Sequence, residues 1–121
     1  MVKISSFLIG VSDLKKSKPF FENVFGMSFE EFRPPFASAV LDGLEINIEE
    51  DAPERPSDWS QTHIGGRKQV SFEVDNLESF LEEAKRNGAK IVQEPEEKPW
   101  GWKEAIIADF DSNEFLIEQK M

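Results

Sequence analysis

One histidine, three tryptophans and a heavy load of carboxylates are the side chains with which this 121-residue chain could do chemistry; it has no cysteine and no tyrosine. No thiol chemistry and no phenolic proton donor are therefore available to any mechanism. His63 lies between Gln61-Thr62 and Ile64-Gly65-Gly66 in a polar stretch. It reads either as a surface loop histidine or as a lid residue supplying a general acid or base, a task its ordinary pKa suits. Trp100 and Trp102 flank Gly101 after Pro99. Indoles two apart lie on one side of an extended chain, and core packing accounts for only one direction. They read either as plain packing or as a wall that stacks a planar or cationic guest. Trp59 reads as loop packing.

The 24 acidic and 14 basic residues leave a formal charge of −10. That balance argues against nucleic acid as a partner, because neutralising phosphates needs basic clusters that are absent. Much of the acidity falls in two runs, Glu49-Glu50-Asp51 with Glu54, and Glu94 with Glu96-Glu97. Such runs read as solvated loops, although a negative field would also concentrate a cationic small molecule. Hydrophobic residues make up 39% of the chain, and no apolar run reaches the length of a membrane span. The start, Met1-Val2-Lys3-Ile4-Ser5, lacks the layout of a signal peptide, and with no cysteine present the expected address is cytoplasmic.

The elements that must position these groups are written twice. Ser6-Phe7-Leu8-Ile9-Gly10-Val11-Ser12-Asp13-Leu14 recurs in pattern as Gln69-Val70-Ser71-Phe72-Glu73-Val74-Asp75-Asn76-Leu77, an offset of 63 (69 − 6). Each copy is an alternating strand running into a capped helix. Leu14, Phe20, Phe21, Val24 and Phe25 form the apolar side of the first helix, with Gly26 past its end; Pro19 predicts a start near Lys18 or a distortion. Strands follow at Ser28 to Arg33, Phe36 to Leu41 and Leu44 to Glu49. Residues 51–67 read as a long polar linker. Beyond it come a strand from Lys68 to Val74, a helix through Leu77, Phe80, Leu81 and Ala84, and strands at Ile91 to Gln93, Glu104 to Asp109 and Phe115 to Gln119. The expectation is one domain over 1–121, with a first module at about 1–50 and a second at about 68–121.

With its segments Gly10-Val11-Ser12-Asp13-Leu14-Lys15-Lys16-Ser17, Phe20-Phe21-x-x-Val24-Phe25-Gly26-Met27 and Asp109-Phe110-Asp111-Ser112-Asn113, the chain resembles the glyoxalase / bleomycin-resistance / extradiol-dioxygenase superfamily, or vicinal oxygen chelate proteins. The resemblance covers nearly the whole chain. It implies an α+β fold of two tandem βαβββ modules whose mixed sheets curl into a cup with helices outside, and a homodimer as the usual assembly. Phe110 and Ser112 stand where the family usually has Pro and Gly. In metal-dependent members four strand positions hold a divalent ion, and carrying them over places them at Ser6, Glu45, Gln69 and Glu118. Ser6 and Gln69 correspond at offset 63; Leu44-Glu45-Ile46 matches Ile117-Glu118-Gln119 at offset 73 (118 − 45).

Ser6 offers a divalent cation only a neutral hydroxyl, and no histidine occupies any of the four positions. The two carboxylates and one amide that remain suit a hard ion such as magnesium or manganese better than zinc or iron. The absence of tyrosine, and of histidine at these positions, also counts against the extradiol dioxygenases. The first expectation is a binding protein of the bleomycin-resistance type that needs no transition metal or other cofactor and sequesters a small molecule in the cup. Glu45 and Glu118 would supply charge, Ser6 and Gln69 hydrogen bonds, and Trp100 and Trp102 stacking. The alternative is a divalent-metal lyase or isomerase of the glyoxalase kind, with Glu45, Gln69 and Glu118 as ligands. No catalytic residue is assigned; Glu118 and His63 are the candidates.

Overall fold

Alternation builds the sheets. Ile46 and Ile48 are buried while Glu45 and Asn47, which alternate with them, are not, and Phe115 and Ile117 alternate with Glu114, Leu116 and Glu118 in the same way. The computed structural model describes all 121 residues, in the order β1 (Phe7–Val11), α1 (Leu14–Phe25), β2 (Ser28–Arg33), β3 (Phe36–Leu41), β4 (Leu44–Glu50), α2 (Trp59–His63), β5 (Gly66–Glu73), α3 (Leu77–Arg86), β6 (Lys90–Glu97), β7 (Trp102–Ala108) and β8 (Asn113–Lys120). The chain divides into two compact units, Met1–Gly65 and Gly66–Met121. One carries a sheet of order β1-β4-β3-β2 and the other a sheet of order β5-β8-β7-β6. In each, the first strand runs parallel to the last and the other pairs are antiparallel. Both units are therefore βαβββ, the α+β architecture the repeat predicts. No helix is long and apolar enough to cross a membrane.

The repeat extends to the helix starts. Asp13 Oδ1 accepts from the Lys16 N–H at 3.1 Å, and Asn76 Oδ1 from the Ser79 N–H at 2.9 Å. Each is an N-cap stabilising its helix by about 1 kcal/mol. Helix α1 begins at Leu14 and keeps Pro19 inside it, earlier than the proline suggests. Pro19 is exposed, so water can solvate the carbonyl that its missing N–H leaves without a partner. The buried side of α1, Leu14, Phe20, Phe21 and Val24, packs on β3 and β4; Leu77, Leu81 and Ala84 of α3 pack on the second sheet.

Two segments differ from the expectation. Glu94, Glu96 and Glu97 belong to β6, which runs on through Pro95. β6 is an edge strand, and its register shifts between Gln93 and Glu96, so the proline sits where the ladder is already broken. The polar linker is likewise partly ordered. Its residues 51–65 fold with the first unit, α2 packs on β1, and Ile64 forms a bridge with Gly10. A Cβ at Gly10 would lie 2.6 Å from the His63 carbonyl oxygen, so this approach requires glycine.

Candidate functional site

In the second unit the pairing register sets one glutamate on each strand along a single row. Glu73 of β5 faces Glu118 of β8, Glu118 faces Glu104 of β7, and Glu104 faces Glu96 of β6. Adjacent strands lie about 4.8 Å apart, so these like charges are neighbours on the face turned away from α3. Burial, followed by the charges of Glu104 and Glu73, raises the Glu118 carboxyl above its usual range. Lys98 relieves the outer end of the row, its Nζ 3.8 Å from Glu96 Oε2. Trp100, 63% exposed, donates its indole N–H to Glu104 Oε2 at 2.9 Å. Alternation puts Trp102 on the face of Glu104, and Gln69 on that of Ser71 and Glu73. Gln69 falls in the irregular stretch of β5 between the pairs made by Arg67 and Ser71. The second unit thus brings Gln69, Trp102 and Glu118 to one face, with Trp100 joined to it through Glu104.

The equivalent row of the first unit reads Gly10, Glu49, Phe36, Arg33. Glu49, not Glu45, is therefore the counterpart of Glu118, at offset 69 (118 − 49). The match at offset 73 followed residue type along β4, where glutamate stands at 45, 49 and 50; pairing with the first strand decides among them. Glu49 is 9% exposed, and its Oε1 lies 2.8 Å from Arg55 Nη1. Arg55 Nε donates to the Glu50 carbonyl at 3.0 Å. The guanidinium carbon sits 5.0 Å from the Phe36 ring centre and 4.3 Å from that of Trp59. Trp59 in turn stacks on His63 at 4.6 Å. His63 Nδ1 lies 3.0 Å from the Trp59 carbonyl oxygen and 2.7 Å from Thr62 Oγ1. Ser6 Oγ accepts from Asn47 Nδ2 at 3.0 Å. Glu45 is exposed and, with Glu31, Arg33, Ser38, Asn47 and Glu49, lines a pocket of about 290 Å³.

Sequence reasoning missed Glu49, Arg55, Glu73 and Glu104. Glu73 carried a signal, since it occupies the position of Gly10 in the repeat (73 − 10 = 63). Arg55 carried none, being a lone arginine among prolines. Within either unit, no three His, Cys, Asp or Glu side chains converge to hold a metal ion: the glutamates form a line across strands, not a cage.

The sequence matches the Glyoxalase/Bleomycin resistance protein/Dioxygenase superfamily over residues 3–118. The chain belongs to that superfamily. The metallothiol transferase FosB of Lysinibacillus sphaericus is 40% identical over 63 residues, a match spanning 50% of this chain and 45% of FosB, so less than half of that relative's length is covered. A family enzyme from Burkholderia phytofirmans superposes with a TM-score of 0.80 at 20% identity, covering 99% of this chain and 100% of that one. TnmS3, an antibiotic binding protein from a Streptomyces species, superposes with a TM-score of 0.76 at 19% identity, covering 100% and 98%. At these identities the two solved structures establish the fold alone.

Proposed function

We propose that this superfamily member binds a small planar cation on the glutamate face of its second unit and does not transform it. The observation that supports the reading is the row Glu73, Glu118, Glu104 and Glu96 beside the exposed Trp100. A cation seated there relieves the repulsion felt by Glu118, and an indole adds stacking and cation–π attraction. An antibiotic-binding relative of the same fold fits this reading. The four positions carried over from metal-dependent members do not fit a transition metal: none is a histidine, and the Ser6 hydroxyl already accepts a hydrogen bond from Asn47. Calorimetric titration with N-methylquinolinium, a planar monocation, in the presence of a chelator should show saturable binding to the wild type and none to Glu118→Gln. Equal heats from both proteins would refute the reading.

A divalent-metal enzyme is the second reading, favoured by the partial match to a metallothiol transferase. Gln69 and Glu118 would be oxygen donors in the second unit, suited to magnesium or manganese. Stoichiometric metal retained through dialysis would select it. We further propose that the working form is a cytoplasmic homodimer in which the two modules serve as one domain. The exposed Leu8 and Val92 supply apolar surface for a second copy. Light scattering at micromolar concentration should return twice the chain mass; a monomer would remove this part.

A further inference from the structure

Glu49 and Glu118 hold the same place in the two copies of the repeat, yet their surroundings are opposite. Glu118 lies between two other glutamates, whereas Glu49 lies between Gly10 and Phe36. The first unit has also brought a cation to its carboxylate. The Arg55 guanidinium bonds Glu49 at 2.8 Å and is set between the Phe36 and Trp59 rings, which together with the carboxylate make the surroundings a bound guanidinium ion needs. Nε donates to the Glu50 carbonyl, but Nη2 is buried with no hydrogen-bond partner. A buried donor left unpaired is costly, so packing alone is a weak reason for an arginine here.

What admits the arginine is the absence of a side chain at Gly10. The strap carrying Arg55 and Trp59 comes down on β1 there, with the His63 carbonyl where a Cβ would be. In the second copy that position is Glu73, which carries a side chain there and adds negative charge. The two copies thus differ at this position, glycine against glutamate, and one carboxylate lies under a strap that the other copy does not carry.

We propose that Arg55 is a built-in cation that fills the first unit's carboxylate position, so that an external cation is directed to the second unit alone. The second clause rests on the function proposed above; the first does not, and can be tested without it. Placing all variants in a Glu118→Gln background silences the second unit, so failure there leaves the first-unit test intact.

In that background Arg55→Ala should bind methylguanidinium, the free equivalent of the missing side chain, at least about tenfold more tightly than the parent, as a charge-assisted hydrogen bond predicts. Adding Glu49→Gln should abolish the gain. No gain with Arg55→Ala, or a gain that survives Glu49→Gln, would overturn the proposal. Arg55→Ser, which leaves the guanidinium's place equally open, serves if the alanine variant does not fold. Independently, Glu49→Gln in the natural chain should release the strap and raise amide exchange across residues 59–63 by about fivefold or more. Unchanged exchange would show that Glu49 does not hold Arg55 in place and would equally overturn it.

Discussion

The Glu50 carboxylate and the Gln119 amide oxygen do the same task in the two halves: each accepts the first helical N–H of its unit, from Leu14 and from Leu77, both at 2.7 Å. The pair stands at offset 69 (119 − 50), as Glu49 and Glu118 do. Each bond ties the last strand of a unit to its helix and satisfies an N–H that helix geometry leaves open. Glu50→Ala and Gln119→Ala should each lower stability by about 1 kcal/mol, measured by urea unfolding. Glu50→Gln should cost less than Glu50→Ala, because it restores the arrangement already present in the second half.

Gly10→Ala should be more disruptive than its size suggests. The new Cβ would meet the backbone of His63 at 2.6 Å, and a carbonyl cannot swing aside as a flexible side chain can. A loss of roughly 1–3 kcal/mol is expected, the usual cost of overpacking. Hydrogen exchange should localise the damage to residues 59–64, and exchange confined to other segments would show that the strap does not rest on β1.

Glu118→Gln should stabilise the protein at neutral pH. Because the folded carboxyl titrates above its unfolded value, its protonated form is the one favoured by folding. The contribution is intact below the unfolded carboxyl's range and is lost as pH rises through the folded one. The stability difference, variant minus wild type, should therefore grow over that window and level off at no more than about 1 kcal/mol, given partial exposure. A difference that shrinks with rising pH would contradict the glutamate row.

Asp109 closes the last hairpin. Its Oδ1 accepts from the N–H groups of Asp111 and Asn113 and its Oδ2 from Asn113 Nδ2, all at 2.9 Å, and Asp109 and Asn113 are buried. Burial raises the Asp109 carboxyl, while these hydrogen bonds pull it back. Asp109→Ala leaves three donors without their acceptor and should cost about 3 kcal/mol or more in thermal or urea unfolding. Asp109→Asn, which keeps one oxygen acceptor, should cost less.

Much of the fold was legible because it depends on local pattern. Alternation and the Asp13 and Asn76 caps identify the βαβββ order in each half, and the offset of 63 carries through to the caps. The site was less legible, since it depends on which strand lies beside which. Three glutamates in β4 look alike in sequence, and only the parallel pairing with β1 selects Glu49. The glutamate row is invisible for the same reason: Glu73, Glu104 and Glu118 are remote along the chain and meet through register. Arg55 was hidden by its surroundings, since prolines and acidic residues read as a solvated loop whatever a buried Trp59 does beneath them.

The central claim, a cation held on the second unit's glutamate face, is tested most directly by amide and indole chemical shifts during titration with N-methylquinolinium in chelator. Saturable shifts should map to Glu73, Trp102, Glu104 and Glu118 and to the Trp100 indole N–H, and they should vanish in Glu118→Gln. Shifts absent from those residues, or abolished by the chelator, would contradict the account.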